Sequence, residues 1–315
     1  MPTSGSEVKG TIGILPVLKE ESISINIVGY ANGALFSNET ISYAITFGQS
    51  QTYISISFDK VSTDVSIAIT TSSPVMLSVE SPYTVTSNDV ESVDIEDFVQ
   101  FMPIASQPSP CHSFLKHADQ RMITNDFTTR LHVSQNLYCD TILNITVYKD
   151  NSAGIKQVVD KMGFTKISLM DSKVAGFSTN EGEISTNRFG SILESGVTCG
   201  HFMHYVPSTR EWLTKKTQFY TLARGCVLEF YADSDGSNTD FIKIDGHKMD
   251  TFKYSRKLIP FFDKQYTQFV VTINGYGLHT IENDGNYVAY VICKNVNGPY
   301  SADGYLAGFN QWKSK

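Results

Sequence analysis

The sequence predicts an all-β protein of two antiparallel β-sandwich-like domains with few short helices, and three observations support this class. Apolar and polar residues alternate with a period of two, as in Ile23–Ile27 and Val65–Ile69, which is typical of strands with one buried face. Asn-Gly and Asp-Gly dipeptides, which favour tight hairpin turns, separate many such runs. Helical periodicity is sparse along the whole chain.

In chain order, the predicted strands share a high content of β-branched and aromatic residues. They are Ile23–Ile27, Tyr53–Phe58, Val65–Ile69, Val75–Val79, Ile142–Tyr148, Phe164–Met170, Cys226–Tyr231, Phe241–Ile244, Phe269–Ile273 and Tyr287–Cys293. The predicted turns are Asn32-Gly33, Asn180 to Gly182, Asp235-Gly236, Asp245-Gly246, Asn274-Gly275, Asp284-Gly285 and Asn297-Gly298. Many short strands joined by such turns are typical of β-sandwiches.

Helical spacing occurs in one segment, where four apolar residues stand at positions i, i+3, i+4 and i+7. This spacing predicts a short helix over Ala153–Met162, ended by Gly163. A second short helix is predicted over Asp94–Phe101.

A proline-rich segment, Phe101–Pro110, predicts the division into domains. It holds three prolines, and proline cannot donate a hydrogen bond to a neighbouring strand. We therefore place a boundary near residue 106, with an N-terminal β-sandwich domain at 1–105 and a C-terminal one at 106–315. Two domains agree with the ~100–200 residues that a domain usually contains.

Composition excludes several classes of partner. The 315 residues are 41% hydrophobic and 18% charged, with a net charge of −7 and no basic run, so we expect no nucleic-acid ligand. No apolar segment reaches the ~20 residues that span a bilayer. The first 20 residues lack the basic start and apolar core of a signal peptide. The chain is then either cytosolic or a mature form or fragment; we favour the second reading and expect an extracellular location. Composition leaves the oligomeric state open.

The five cysteines form no C-x-x-C motif, which argues against a zinc ribbon or a thioredoxin-type site. We predict two disulfides, Cys226–Cys293 and Cys111–Cys139, with Cys199 left over; buried thiols are the alternative. Asn38 and Asn144 stand in Asn-x-Thr sequons, so both are predicted glycosylation sites.

One stretch offers hard oxygen ligands around a glycine turn. Asp233, Asp235, Asn238 and Asp240 are therefore a candidate calcium site, although the full loop spacing and the distal glutamate are missing. No other cofactor is predicted.

Two further clusters could carry chemistry. Cys199, His201 and His204 resemble part of a zinc site, but strand residues three apart point to opposite faces. Glu181, Glu183 and Glu194 could supply a carboxylate pair for glycoside chemistry. The motifs G-x-S-x-G, H-E-x-x-H, G-x-G-x-x-G and the Walker A loop do not occur, so we predict no enzymatic activity.

Seven short elements follow one another in the second half of the chain: Thr198–His201, Pro207–Trp212, Gln218–Leu222, Ile244–His247, Gly277–Glu282, Tyr287–Cys293 and Gly304–Gly308. In their order and spacing, residues 195–310 resemble the N-terminal domain of IgG Fc-binding proteins. The resemblance implies an all-β, extracellular, mucin-associated module without catalytic residues. It also implies a cysteine pair near the first element, where this chain has Cys199. Antibody binding is not carried over, because no residue marks an Fc-binding surface.

The expected function is therefore extracellular binding or adhesion to a glycoprotein, matrix or microbial surface, with a protein or glycan as ligand. Recognition is expected in loops at the sandwich ends, which a rigid scaffold holds in place. The candidates are Asp233–Asp240, Asn180–Arg188 and Asn295–Gly304. The alternatives are a structural module of a mucus gel or of a viral or phage surface, and a hydrolase.

Overall fold

Strands make up nearly all the regular structure of the residues that the structure describes. The computed structural model describes residues 8–17, 22–31, 33–44, 52–58, 65–84, 97–105, 114–135, 142–160, 163–182 and 184–310. The helical segments within these residues are single 3-10 turns at Thr209–Glu211, Asp235–Ser237, Thr239–Phe241 and Met249–Thr251. The predicted all-β class is thereby confirmed.

The strands form antiparallel sheets throughout. They are β1 Val8–Pro16, β2 Ser22–Ala31, β3 Ala34–Ala44, β4 Thr52–Phe58, β5 Val65–Thr71, β6 Val75–Thr84, β7 Asp97–Phe101, β8 Phe114–Thr124, β9 Thr128–Ser134, β10 Leu143–Lys149, β11 Gly154–Val159, β12 Thr165–Ser168, β13 Val174–Glu181, β14 Ser185–Glu194, β15 Val197–Tyr205, β16 Leu213–Thr221, β17 Val227–Ala232, β18 Lys243–Ile244, β19 His247–Lys248, β20 Tyr254–Ile259, β21 Tyr266–Thr272, β22 Gly277–Lys294 and β23 Ala302–Leu306.

The first two sheets have the strand orders β4-β1-β6-β7 and β3-β2-β5. Their shared core contains Ile12 and Ile14 from β1 and Ile23, Ile25 and Ile27 from β2. In β2 these isoleucines are buried, whereas Ser22, Ser24 and Asn26 are exposed or half-buried. The period-two alternation of the sequence therefore places one apolar face between two sheets.

Two further sheets have the orders β11-β10-β13-β8 and β12-β9-β14-β15. Leu131 and Val133 of one sheet and Ile145, Val147 and Phe177 of the other belong to one buried cluster. These sheets thus form a second pair of apolar layers.

An eight-stranded sheet follows, with the order β19-β18-β22-β17-β21-β20 and with β16 and β23 also paired to β22. One of its faces contributes Tyr231 and Tyr290 to the cluster of the preceding sheets. The other face contributes Phe230, Ala289 and Val291 to a separate core. Burial on both faces explains why residues 287–293 form a nearly continuous apolar run.

The predicted helix at Ala153–Met162 is wrong. Residues Gly154–Val159 form β11, which pairs with β10. Val159 is buried there, but Ile155 and Val158 are 76% and 52% exposed, so the helical spacing does not correspond to a buried face. β-branched side chains suit a strand, and the open edge of β10 satisfies its backbone groups.

The second predicted helix, Asp94–Phe101, is also corrected. Residues 97–101 form β7, which pairs with β6, while residues 94–96 lie outside the described residues. The boundary near residue 106 lies outside them too. β7 lies against β15 of a later sheet, and the division at 105/106 stays a prediction.

Candidate functional site

The eight-stranded sheet carries a three-stranded extension that we call the wing, formed by β16, β18 and residues 277–283 of β22. Its side chains alternate between two faces. Phe219, Ile244 and Ile281 point inward and are fully or almost fully buried. The intervening residues of the same strands form the outer face of the wing, which is turned to solvent.

A cluster of exposed side chains, which we call the tyrosine patch, lies at one end of the outer face. It consists of Tyr220, Tyr276 and Leu278, which are 40%, 67% and 64% exposed. Tyr220 lies directly opposite Leu278, and the two tyrosine rings meet with centroids 5.6 Å apart at an interplanar angle of 76°. A hydrogen bond with Tyr276 raises the pKa of Tyr220. The two rings and the leucine together offer a contiguous apolar surface to solvent.

The outer face becomes polar with distance from the patch. Gln218 lies opposite Thr280, and Lys216 lies opposite Glu282. The Lys216 ammonium is 2.8 Å from the Glu282 carboxylate, and their hydrogen bond lowers the pKa of Glu282. The face therefore changes from apolar through uncharged polar to charged.

Backbone contacts hold the tyrosine patch in place. The Tyr305 hydroxyl accepts a hydrogen bond from the Tyr220 N–H at 2.6 Å and donates one to the Tyr220 carbonyl. The edge of β16 is thereby satisfied at this residue. Gly275 and Gly277 flank Tyr276 with φ values of 135° and 115°, which residues with a Cβ rarely adopt. The turn that presents Tyr276 therefore depends on its glycines.

A carboxylate, an imidazole and a hydroxyl form a line at the same end of the wing. Asp245 Oδ2 is 2.7 Å from His279 Nδ1, and His279 Nε2 is 3.1 Å from Thr221 Oγ1. Asp245 Oδ1 also accepts the Thr280 N–H at 2.8 Å, and the Phe219 ring stacks on the imidazole. The line joins the Asp-Gly turn at 245–246 to the first residues of β22.

The order Asp–His–Thr matches that of a hydrolase triad, but exposure of the hydroxyl decides what it can do. Thr221 is fully buried, so its oxygen cannot reach a substrate, and the line anchors the underside of the tyrosine patch.

The candidate calcium residues lie in the segment between β17 and β18. Asp233 accepts hydrogen bonds from Asn286, at 3.3 Å from the backbone N–H and at 2.6 Å from Nδ2. Asn238 accepts the Asp240 N–H at 3.1 Å, and Asp235 and Asp240 are exposed. Among the described residues, no group of three or more His, Cys, Asp and Glu side chains is arranged to hold a metal ion. Calcium binding here stays a prediction.

The residues Cys199, His201 and His204 are all buried in β15. The His201 ring lies beside Phe189, whereas His204 stacks on Tyr290, so the two imidazoles face different neighbours. Burial lowers the pKa of His204 to about 3, and its ring is neutral at physiological pH.

The three glutamates considered for glycoside chemistry are spread over the fold. Glu181 ends β13 in one sheet, and Glu194 ends β14 in another. Glu183 lies outside the described residues.

One of the predicted recognition loops is wrong. Most of Asn180–Arg188 belongs to strands β13 and β14, and Thr186 and Arg188 are fully buried. By contrast, the segment 295–301 forms the hairpin loop between β22 and β23, where Tyr300 is 42% exposed and its N–H donates to Asn295 Oδ1.

The predicted disulfide Cys226–Cys293 is confirmed and joins the residue that precedes β17 to β22. Cys111 and Cys139 lie outside the described residues, so their pairing stays a prediction. Asn38 in β3 and Asn144 in β10 are both exposed.

A buried ion pair links β14 to β17 of the eight-stranded sheet. Arg188 Nη1 is 2.6 Å from Glu229 Oε2, and both side chains are 0% exposed. The other Glu229 oxygen accepts from Tyr231 at 2.7 Å, from Gln268 at 2.8 Å and from Thr124 at 3.3 Å. Buried charges require such partners, so this network fixes how the sheets meet.

Sequence reasoning missed both the network and the tyrosine patch, although weak signals were present. Glu229 interrupts the apolar run of β17, and a charge there implies a buried partner. Phe219 and Tyr220 are adjacent on one strand, so one ring must face outward. Tyr276 sits in a glycine-flanked turn, where a core position is not expected.

No family model and no curated protein matches the chain. Within the described part of the chain, no helix is both long and apolar enough to cross a membrane.

Proposed function

We propose that this protein is a non-catalytic, extracellular binding or adhesion protein that recognises a glycoprotein, matrix or microbial surface. The observation that carries the proposal is the tyrosine patch: two tyrosines and a leucine held exposed on the outer face of the wing. The resemblance of residues 195–310 to the extracellular IgG Fc-binding module supports the same class.

The contacts beneath the patch favour binding over catalysis. The Asp245–His279–Thr221 line has the order of a triad, but its hydroxyl is fully buried. A nucleophile must contact the substrate, whereas a buried line of hydrogen bonds stabilises the surface above it.

The Cys226–Cys293 disulfide and the exposed sequon residues Asn38 and Asn144 support the extracellular location, because disulfides persist in oxidising compartments. Expression through the secretory pathway, followed by mass mapping before and after enzymatic deglycosylation, tests this part. Unmodified sequons together with reduced cysteines would contradict it.

Surface binding by the purified chain tests the function itself. We expect the protein to adhere to immobilised glycoproteins, matrix proteins or fixed microbial cells, and we expect Tyr276→Ala to weaken adhesion. Tyr254→Ala is the matched control, because Tyr254 is 36% exposed on β20 at the opposite edge of the same sheet. Tyr300→Ala tests the predicted loop 295–304. Adhesion that is unchanged in Tyr276→Ala but lost in Tyr300→Ala would assign recognition to the loop instead.

The assembly alternative is favoured by one observation. β11 is the end strand of its sheet and carries the exposed Ile155 and Val158, and an open apolar edge can pair with another chain. Light scattering distinguishes the two functions: a stable monomer supports the binding protein, and a trimer or fibre that Ile155→Lys dissolves supports assembly.

A further inference from the structure

The two rings of the tyrosine patch stand nearly at right angles, at 76° with centroids 5.6 Å apart. Both rings are exposed to solvent, and Leu278 lies opposite Tyr220 on the same face. A hexopyranose has matching chemistry, because its C–H bonds form an apolar face and its hydroxyls form a polar rim. Polarised C–H groups are attracted to the electron-rich face of an aromatic ring.

Polar groups lie at the distance that the hydroxyl rim of a sugar requires. Two residues along a strand advance about 7 Å, so Gln218 and Thr280 lie roughly one sugar length from the patch on the same face. They offer an amide and a hydroxyl, which donate and accept without charge. This order of side chains suits a sugar that stacks on the rings and hydrogen-bonds beside them.

Charge on the outer face favours a neutral sugar over an acidic one. On the outer face, Lys216 of β16 and Lys243 of β18 both lie opposite Glu282, which is four residues along β22 from Leu278 of the patch. Lys216 is 2.8 Å from Glu282, and four residues of strand separate these charges from the patch by about 14 Å. A carboxylated or sulfated sugar stacked on the two tyrosines would therefore pair directly with neither lysine.

The size and rigidity of the patch also suit a small ligand. A stable protein interface needs about 800 Å² from each partner, whereas three exposed side chains match the footprint of one or two sugar rings. The Tyr305 hydroxyl fixes Tyr220, and His279 is held beneath the surface between Asp245 and Thr221. A surface ordered before binding loses little conformational entropy when it binds.

We propose that Tyr220 and Tyr276 stack on a neutral hexopyranose unit of a glycan, while Gln218 and Thr280 hydrogen-bond to its hydroxyls or to those of the next sugar. The inference rests on the proposed binding function and names its ligand class.

The test uses the full chain on a panel of immobilised oligosaccharides, neutral (ending in galactose, glucose, mannose or N-acetylhexosamine) and acidic (sialylated or sulfated). The best binder is then titrated calorimetrically. We expect a neutral oligosaccharide to bind, and Tyr276→Ala to raise its Kd about tenfold or more, which corresponds to about 1.4 kcal/mol. Gln218→Ala should raise the Kd less. Tyr276→Phe, which keeps the ring, and the control Tyr254→Ala should leave the Kd close to wild type.

Binding to a glycoprotein surface, measured before and after enzymatic removal of its glycans, distinguishes the glycan inference from the proposed binding function. Binding that is lost on deglycosylation and in Tyr276→Ala supports a glycan ligand. Binding that depends on Tyr276 but survives deglycosylation overturns the glycan inference and leaves the binding function intact. Acidic oligosaccharides that bind better than neutral ones overturn the ligand class. Binding of any ligand that is insensitive to both tyrosines overturns the site.

Discussion

Glu229→Gln is expected to destabilise the protein strongly, because it removes the counterion of a fully buried arginine. The wild-type atoms Arg188 Nη1 and Glu229 Oε2 are 2.6 Å apart, and neither side chain is exposed. Glutamine keeps the size of the side chain but has one acceptor oxygen instead of two, so the variant loses the charge and also turns an amide N–H2 toward either Arg188 or the donors Tyr231, Gln268 and Thr124. Removing one partner of a buried ion pair costs about 3–5 kcal/mol, out of the ~5–15 kcal/mol by which most domains are stable.

Urea unfolding followed by tryptophan fluorescence measures this loss, since Trp212 is buried against Tyr266 in the adjoining core. The double variant Arg188→Met with Glu229→Gln removes both charges and should recover part of the lost stability, because no unpaired charge remains. Lys216→Met breaks only an exposed pair and should change the free energy of unfolding by about 1 kcal/mol or less. A Glu229→Gln variant within about 1 kcal/mol of wild type would refute the reasoning.

Three further outcomes are expected. Reducing Cys226–Cys293, which encloses a sequence separation of 67 residues, should lower the free energy of unfolding by about 4 kcal/mol in the chain-entropy treatment; urea curves with and without reductant check this, and coincident curves would contradict it. Burial lowers the pKa of His204 to about 3 in the folded chain, below its unfolded value of about 6.5. Between pH 3 and pH 6.5, roughly, the imidazole is therefore protonated in the unfolded chain but not in the folded one. Stability should therefore fall by up to about 1.4 kcal/mol per unit as the pH drops below about 6.5, and His204→Gln should reduce that dependence; an equal slope in both proteins would disprove the assignment. Gly285→Ala places a Cβ 2.0 Å from the backbone of a neighbouring turn and should lower the free energy of unfolding by about 1–3 kcal/mol. Gly298→Ala has open space around the new Cβ and should leave that free energy unchanged; thermal melts of both variants check this.

Most of the ten strands predicted from local sequence patterns are present, although they account for fewer than half of the 23 strands in the described residues. The predicted strand at 53–58 lies within β4, and the one at 226–231 overlaps β17 at 227–232. Alternating burial and turn dipeptides act over a few residues, so they can be recognised without knowledge of the fold. The helix predicted over Ala153–Met162 was wrong for the opposite reason. Its apolar spacing suited a helix, but residues Gly154–Val159 form a strand because they pair with β10, which is not a local interaction.

The candidate site was only partly visible in the sequence. Asp245-Gly246 and the segment Gly277–Glu282 were recognised as a turn and as an element of a family resemblance. Their contact through His279 depends on pairing between strands far apart in the chain. The register of β16 with β22 decided that, of the adjacent Phe219 and Tyr220, Tyr220 is the exposed ring.

The sequence by itself determined the all-β class and many of the strands and turns, because these follow from local periodicity and turn chemistry, whereas the Cys226–Cys293 pairing was predicted with buried thiols as the alternative and was decided by the structure. Only the tertiary structure decided which faces are covered. The Arg188–Glu229 pair is buried because two sheets meet there, and the tyrosine patch is exposed because no described strand covers the outer face of the wing. Burial depends on residues distant in the chain, and a period-two pattern does not specify which partner covers a given face.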